Sequence, residues 1–179
     1  VQNIGEPRVL ATLPRGAVVQ TIDGNMKATQ FEGSMPAPQP RRPLERVPPE
    51  RFQIPVERFR EGYYSDKYFV RAREVLARSG RNPPVTIQVF QKQPAWLGGV
   101  DEAIAILKTC LTDGYDWSDL EVYALHDGDT VTPYETVMLI TGPYVAFAHL
   151  ETVYLGVMAR RTRVATNTRL VVEAAWPKP

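Results

Sequence analysis

The chain has 179 residues, 44% of them apolar, enough for one ordinary core with appendages. A formal charge of +1 supplies no strong basic face, so no nucleic-acid partner is expected. One cysteine, Cys110, and two histidines, His126 and His149, exclude an internal disulfide framework and argue against a zinc centre. Cys110 lies in an apolar helical run and reads as a buried structural thiol. The longest apolar stretches fall far short of the ~20 residues a membrane span needs. No basic-then-apolar signal segment is visible, so no membrane association and a cytoplasmic location are the expectation.

Residues 1–60 form a Pro/Arg-rich extension. Pro36, Pro38, Pro40, Pro43, Pro48, Pro49 and Pro55 crowd one stretch, with Arg41, Arg42, Arg46 and Arg51 between them. Proline lacks the backbone donor that helices and sheets use, so this stretch is predicted to be extended and irregular. It reads as a strap over the protein's own surface or a neighbouring subunit. Residues 8–12 and 17–21 read as short strands, with Pro14, Arg15 and Gly16 in the turn.

Residues 61–179 read as the compact part. Ser65 is a good N-cap, and Asp66 suits the positive end of a helix. Phe69, Ala72, Val75 and Leu76 recur at helical spacing, Arg71, Arg73 and Arg78 lie off that stripe, and Gly80 closes the helix. Asn82, Pro83 and Pro84 break the chain before a strand at 85–90. Gly98 and Gly99 precede a helix at 101–111 with Ala103, Ile104, Leu107 and Leu111 on its apolar face. A strand at 120–125, the turn His126-Asp127-Gly128-Asp129 and a strand at 136–141 follow. Biotinyl and lipoyl carriers share this pattern with hammerhead folds. A carrier needs a modifiable lysine, and none lies between Glu121 and Thr141. Pro143 suits the first turn of a third helix. Val145, Ala148, Val153 and Val157 make that helix buried, running to about Arg161. A further helix at 164–175 places Leu170, Val171 and Ala174 on one side. Helices mixed with a small, mostly antiparallel sheet and no regular βαβ alternation read as α+β.

No motif supplies a complete catalytic site: GxxxxGK[ST], GxSxG and HExxH are all absent. Asp127 and Asp129 flank a glycine and read as turn residues. Arg160, Arg161, Arg163 and Arg169 suit phosphates or carboxylates, although a helix C-terminus also favours such charge. Tyr63, Tyr64 and Tyr68 surround a helix start, where rings serve in a core or interface or stack on a flat heteroaromatic ligand.

Three stretches, in order, carry a resemblance. Tyr64-Ser65-Asp66-Lys67-Tyr68-Phe69 resembles the Thr-Asp-x-Tyr signature of nicotinate and nicotinamide phosphoribosyltransferases, with Ser for Thr. Val100-Asp101-Glu102-Ala103-Ile104 and the strand pair after it look like the family's corresponding helix and hammerhead strands. Leu150-Glu151-Thr152, followed by Val164-Ala165-Thr166-Asn167-Thr168-Arg169, resembles the family's Glu-Thr helix and Ala-Thr segment. The resemblance covers about residues 63–179 and identifies the N-terminal half of a nicotinate phosphoribosyltransferase-like enzyme.

It implies an α+β, hammerhead-like domain with packed helices that ends before an α/β barrel. It implies transfer of phosphoribosyl from phosphoribosyl pyrophosphate to nicotinate, in NAD salvage. The barrel would bind phosphoribosyl pyrophosphate and Mg2+, and this chain itself no cofactor. Catalysis there would be mainly electrostatic. Tyr68 would stack on the pyridine ring and Asp66 would position that segment. Arg160, Arg161 and Thr166 would lie near the barrel mouth; no catalytic residue is assigned. The implied partners are the barrel half and a neighbouring subunit, in a homo-oligomer, since the N-terminal domain of one subunit closes the barrel of another. Related quinolinate enzymes carry Glu-Arg-Thr, whose arginine grips a substrate carboxylate. Leu150-Glu151-Thr152 lacks it, which favours nicotinate. The alternatives are a quinolinate-type enzyme and a non-catalytic interaction or assembly domain of the same fold.

Overall fold

The structure is a computed structural model that describes residues 45–176. The strands expected at 8–12 and 17–21, the prolines at 36–43 and residues 177–179 lie outside the described residues.

A three-stranded antiparallel sheet forms from β1 (Pro84–Phe90), β3 (Glu121–Ala124) and β5 (Thr136–Pro143), in the order β1-β5-β3. The central strand, β5, is the most buried. Ile140 sits opposite Ile87 on one side and Val122 on the other, so branched side chains line up across all three strands. The alternation expected at 120–125 holds, with Val122 and Ala124 both buried. A second pair, β2 (Ala95–Trp96) and β4 (Thr130–Val131), runs antiparallel beside it. The Leu97 N–H and carbonyl extend that pair, to Asp129 and Gly128 at 2.8 Å each.

Five helices accompany these strands among the described residues: α1 (Val56–Glu61), α2 (Lys67–Arg78), α3 (Val100–Thr109), α4 (Tyr144–Phe147) and α5 (Glu151–Ala175). Helix α3 is the core element. Val100, Ile104, Ile106 and Leu107 are all buried, each side chain contributing about 1.5–3 kcal/mol. Cys110, just past its end, is fully buried, as its apolar setting predicts. The core joins α3, the sheet and the first half of α5 through Met138, Phe147, Leu150, Tyr154 and Met158.

Four features differ from the sequence expectation. Proline density predicts extended chain up to residue 60, yet Pro49–Arg51 is a 3-10 turn and Val56–Glu61 a helix. The prolines stop at Pro55, and Val56 and Phe59 then pack on the core. In α2 the N-cap is Asp66, not Ser65, whose hydroxyl instead donates to the His149 carbonyl. Val75, expected on the apolar stripe, is 65% exposed. Arg73 takes the half-buried position instead, its guanidinium donating to the carbonyls of Arg60 at 3.0 Å and Glu61 at 3.5 Å. Finally, the two helices expected on either side of residue 162 are one. A short α4 and a 3-10 turn (Ala148–Leu150) lead into a continuous 25-residue α5.

Thr162 explains that continuity. Its hydroxyl accepts from the Gly98 N–H at 3.1 Å and donates to the Gly98 carbonyl at 3.2 Å. Four residues on, Thr166 repeats the arrangement with Trp96, at 3.0 and 3.4 Å. Residues four apart share a helix face, so two threonines clasp the Trp96–Gly98 segment along α5. A Cβ at Gly98 would lie 2.9 Å from the Arg161 backbone, so only glycine allows this approach.

Candidate functional site

The starts of α2 and α5 meet. The Ser65 hydroxyl bonds to the His149 carbonyl, and the Asp66 N–H donates to Thr152 Oγ1 at 3.2 Å. These bonds hold Asp66, the α2 N-cap, near Glu151, the first residue of α5. Helical geometry then sends Phe69 into the interior, 6% exposed, and leaves its neighbour Tyr68 outward at 60%. The Tyr68 ring rests on Phe69 with centroids 4.1 Å apart and a 39° tilt. It presents an open aromatic face beside two carboxylates.

The groups that shift Glu151, Tyr68 and Tyr144 at this corner are acidic or aromatic. Burial and then Asp66 push the Glu151 carboxyl above its ordinary range. Partial desolvation, then Glu151, Asp66 and Tyr144, raise the Tyr68 hydroxyl. Burial and Glu151 raise Tyr144 as well. Beneath them Tyr154 is fully buried, its hydroxyl has no hydrogen-bond partner among the described residues, and burial, Glu151 and Tyr144 drive its pKa strongly upward. His149, also fully buried, is lowered to about 4, first by burial and then by Arg73.

The arginine segment stands apart. At ~1.5 Å rise per residue, Arg160 lies about 14 Å along α5 from Glu151, and Thr166 about 22 Å. Steps of ~100° per residue send Arg160, Arg161 and Thr166 in different directions. Arg160 is exposed. Arg161 pairs with Glu102 of α3, and Thr166 binds the Trp96 backbone. Arg169 lies over the Trp96 ring, 5.9 Å from its centroid. The structure therefore brings Tyr68 and Asp66 together and places the other three candidates elsewhere.

The turn carboxylates serve backbone groups. Asp129 accepts from the His126 N–H at 2.8 Å. Asp127 reaches across to the first turn of α3, accepting from Val100 N–H at 2.7 Å, and burial raises its pKa. Arg46 closes the opposite side, donating to Asp101 at 2.9 Å and to the Ala124 carbonyl at 3.0 Å. No group of three His, Cys, Asp or Glu close enough to hold a metal occurs among the described residues. None of their helices is long and apolar enough to cross a membrane.

Sequence reasoning missed Glu151 as a neighbour of Tyr68, and missed His149 and Tyr154 as buried polar groups. The visible signal was a run from Val145 to Met158 that is apolar except for His149, Glu151, Thr152 and Tyr154.

The sequence model described as "Quinolinate phosphoribosyl transferase, N-terminal domain" matches residues 66–162. The chain belongs to that family. The match begins at Asp66 and takes in Tyr68, Glu151 and the Thr162 clasp. Among solved structures, the nicotinate-nucleotide pyrophosphorylase from Pyrococcus furiosus is 28% identical with a TM-score of 0.50, over 60% of this chain and 28% of that one. Human nicotinic acid phosphoribosyltransferase is 20% identical with a TM-score of 0.57, over 64% and 29%. This second likeness speaks to the fold alone. The chain thus spans less than a third of the length of either structure. No curated protein matches it. The α+β assignment and the family's N-terminal domain, both expected from the ordered motifs, agree with these findings.

Proposed function

We propose that this chain is the N-terminal part of an enzyme of NAD salvage that transfers phosphoribosyl from phosphoribosyl pyrophosphate to nicotinate. One observation carries the reading: the family's N-terminal domain holds an outward tyrosine face, Tyr68, fixed by the junction of α2 and α5. In such a transfer the pyridine nitrogen attacks ribose C1′, pyrophosphate departs, and positive charge develops across the ring and sugar. An aromatic face holds the flat ring in line for that attack, and nearby carboxylates favour the developing positive charge. Asp66 positions the segment.

Arg160, Arg161 and Thr166 would lie near the mouth of a barrel joined to this domain, where Arg160 is placed to meet a phosphate. Magnesium would travel with phosphoribosyl pyrophosphate in that barrel. Assembly as a homo-oligomer is part of the same proposal. Its support is the apolar surface on the far half of α5, where Val164, Leu170, Val171, Val172 and Trp176 are all exposed.

The test is phosphoribosyl transfer by this chain together with a barrel-bearing partner, followed as nicotinate mononucleotide formed. Tyr68→Ala is expected to raise the nicotinate KM severalfold, since a stacking partner contributes on the order of 1 kcal/mol. An unchanged KM and kcat would sink the stacking role. A second reading, a quinolinate-specific enzyme, is favoured by the family description. It predicts turnover of quinolinate with release of carbon dioxide and none of nicotinate.

A further inference from the structure

We propose that residues 36–44 of this chain lie as an intramolecular strap along an exposed apolar stripe of α5 formed by Val164, Val171, Val172 and Ala175.

Helical spacing defines the stripe. At ~100° per residue, these four side chains all fall within about 80° of the direction of Arg161. Val164, Val171 and Val172 are 60%, 67% and 52% exposed, and Ala175 is exposed as well. A single exposed valine is ordinary, whereas a row of them on one helix face forms a contiguous patch of the kind that marks a contact surface. Leu170 points the opposite way and stays open for assembly between subunits.

The occupant follows from where residues 1–44 join the body. Arg46, its side chain only 16% exposed, donates to Asp101 at 2.9 Å and to the Ala124 carbonyl at 3.0 Å. The Val47 N–H donates to the other Asp101 oxygen at 3.0 Å. Asp101 and Glu102 are neighbours in the first turn of α3, and Glu102 pairs with Arg161 at the head of the stripe. The chain preceding Arg46 therefore leaves the body beside that head.

Length and composition fit the path. From Val164 to Ala175 the stripe runs ~17 Å at ~1.5 Å per residue. Residues 36–44, extended at ~3.1 Å per residue, reach ~28 Å, which covers the stripe and leaves ~11 Å for the approach from Arg46. Pro36, Pro38, Pro40 and Pro43 carry no N–H, so few backbone donors are stranded against valine side chains. Their fixed φ also lowers the entropy lost on docking. Ala37 and Leu44 add apolar surface between and beside them.

The test uses the full 179-residue chain with a nitroxide spin label on Gln39→Cys and isotope-labelled valine and leucine methyl groups, read by NMR. Cys110 is fully buried and escapes the label. Single substitutions to alanine assign Val164, Val171, Val172 and Leu170. The three valine signals should lose intensity severalfold, and Leu170 much less. Arg46→Ala, which frees the anchor, should restore most of that intensity. Val171→Asp, which charges the stripe at an exposed position and leaves the anchor intact, should restore it at Val164 and Val172, a readout that stands if Arg46→Ala fails to fold. Spin-labelled chain mixed with isotope-labelled chain that carries no spin label should show no loss. Loss of equal size in that mixture would seat the stretch on a second copy and overturn the proposal. Loss as large at Leu170, loss that survives Val171→Asp, or no loss at the valines overturns it too.

Discussion

His149 makes the acid stability of this domain calculable. The ring is fully buried, and neither nitrogen meets a partner in full hydrogen-bond geometry among the described residues. Burial and the nearby Arg73 lower its pKa from 6.5 to about 4, against modest support from the Cys110 backbone. The unfolded chain therefore takes up a proton near pH 6.5 and the folded chain only near pH 4. Between those values the unfolded state binds more protons, so stability present above pH 6.5 drains away as pH falls. For these two pKa values the loss between pH 7.5 and 5.0 is about 2 kcal/mol. Glu151 and Asp127 act with the opposite sign, since their raised carboxyl pKa values favour the fold at lower pH. Substitution isolates the histidine from both. His149→Leu shifts the baseline but removes the titration, so the quantity to compare is each protein's change between the two pH values. Urea unfolding followed by tryptophan fluorescence at pH 7.5 and 5.0 measures it. The unsubstituted chain should lose about 2 kcal/mol more than His149→Leu. Equal losses would mean that the ring is not buried and neutral, and would refute the reasoning.

Two glycines on or against α5 should respond in opposite directions to the same substitution. Gly98→Ala drives a Cβ to 2.9 Å from the Arg161 backbone, which cannot swing aside, and should cost about 1–3 kcal/mol, read as a lower Tm. Gly156→Ala meets nothing within 4 Å inside a helix and should stabilise by about 0.5–1 kcal/mol in the same melt. Thr162→Val keeps the shape but strips both Gly98 backbone groups of their partner, costing about 1–3 kcal/mol in urea unfolding, whereas Thr162→Ser should recover most of it.

The elements legible in the sequence were those whose burial is local. In β3, Val122 and Ala124 alternate with polar residues because one face meets the core, and the period shows it. In α3, the apolar face and the preceding glycines mark its bounds closely; the helix runs Val100–Thr109 against an expected 101–111. Elements misread were those fixed by partners distant in the chain. Ser65 has every property of an N-cap, yet its hydroxyl serves a carbonyl 84 residues away. Arg161, Thr162 and Arg163 look like a polar break between two helices. Thr162 is instead buried against Gly98, a contact no local pattern encodes. The candidate site divides along the same line. Tyr68 and Asp66 sit within one motif and emerge together. Glu151 joins them only because α2 and α5 begin at the same place.

That meeting gives α5 two separate tasks along one rod. Its first half buries Val153, Tyr154, Met158 and Thr162, and nothing beyond Thr162 is buried. A helix of the remaining 13 residues would be marginal alone, so it persists by propagation from the packed half. Beyond the contacts of Thr166 and Arg169 with Trp96, the far half needs none of its own and carries Val164, Val171, Val172 and Trp176 outward. The helix is about 37 Å long at ~1.5 Å per residue. Glu151 stands at one end beside Tyr68 and the exposed apolar surface at the other. Whatever packs on that surface is held at a fixed distance from the tyrosine face, and the Thr162 and Thr166 clasps on Gly98 and Trp96 set the direction. Under the proposed function this rigidity is what a stacking residue requires, because a ring presented to a neighbouring barrel must arrive in register with a phosphoribosyl group that this domain does not bind.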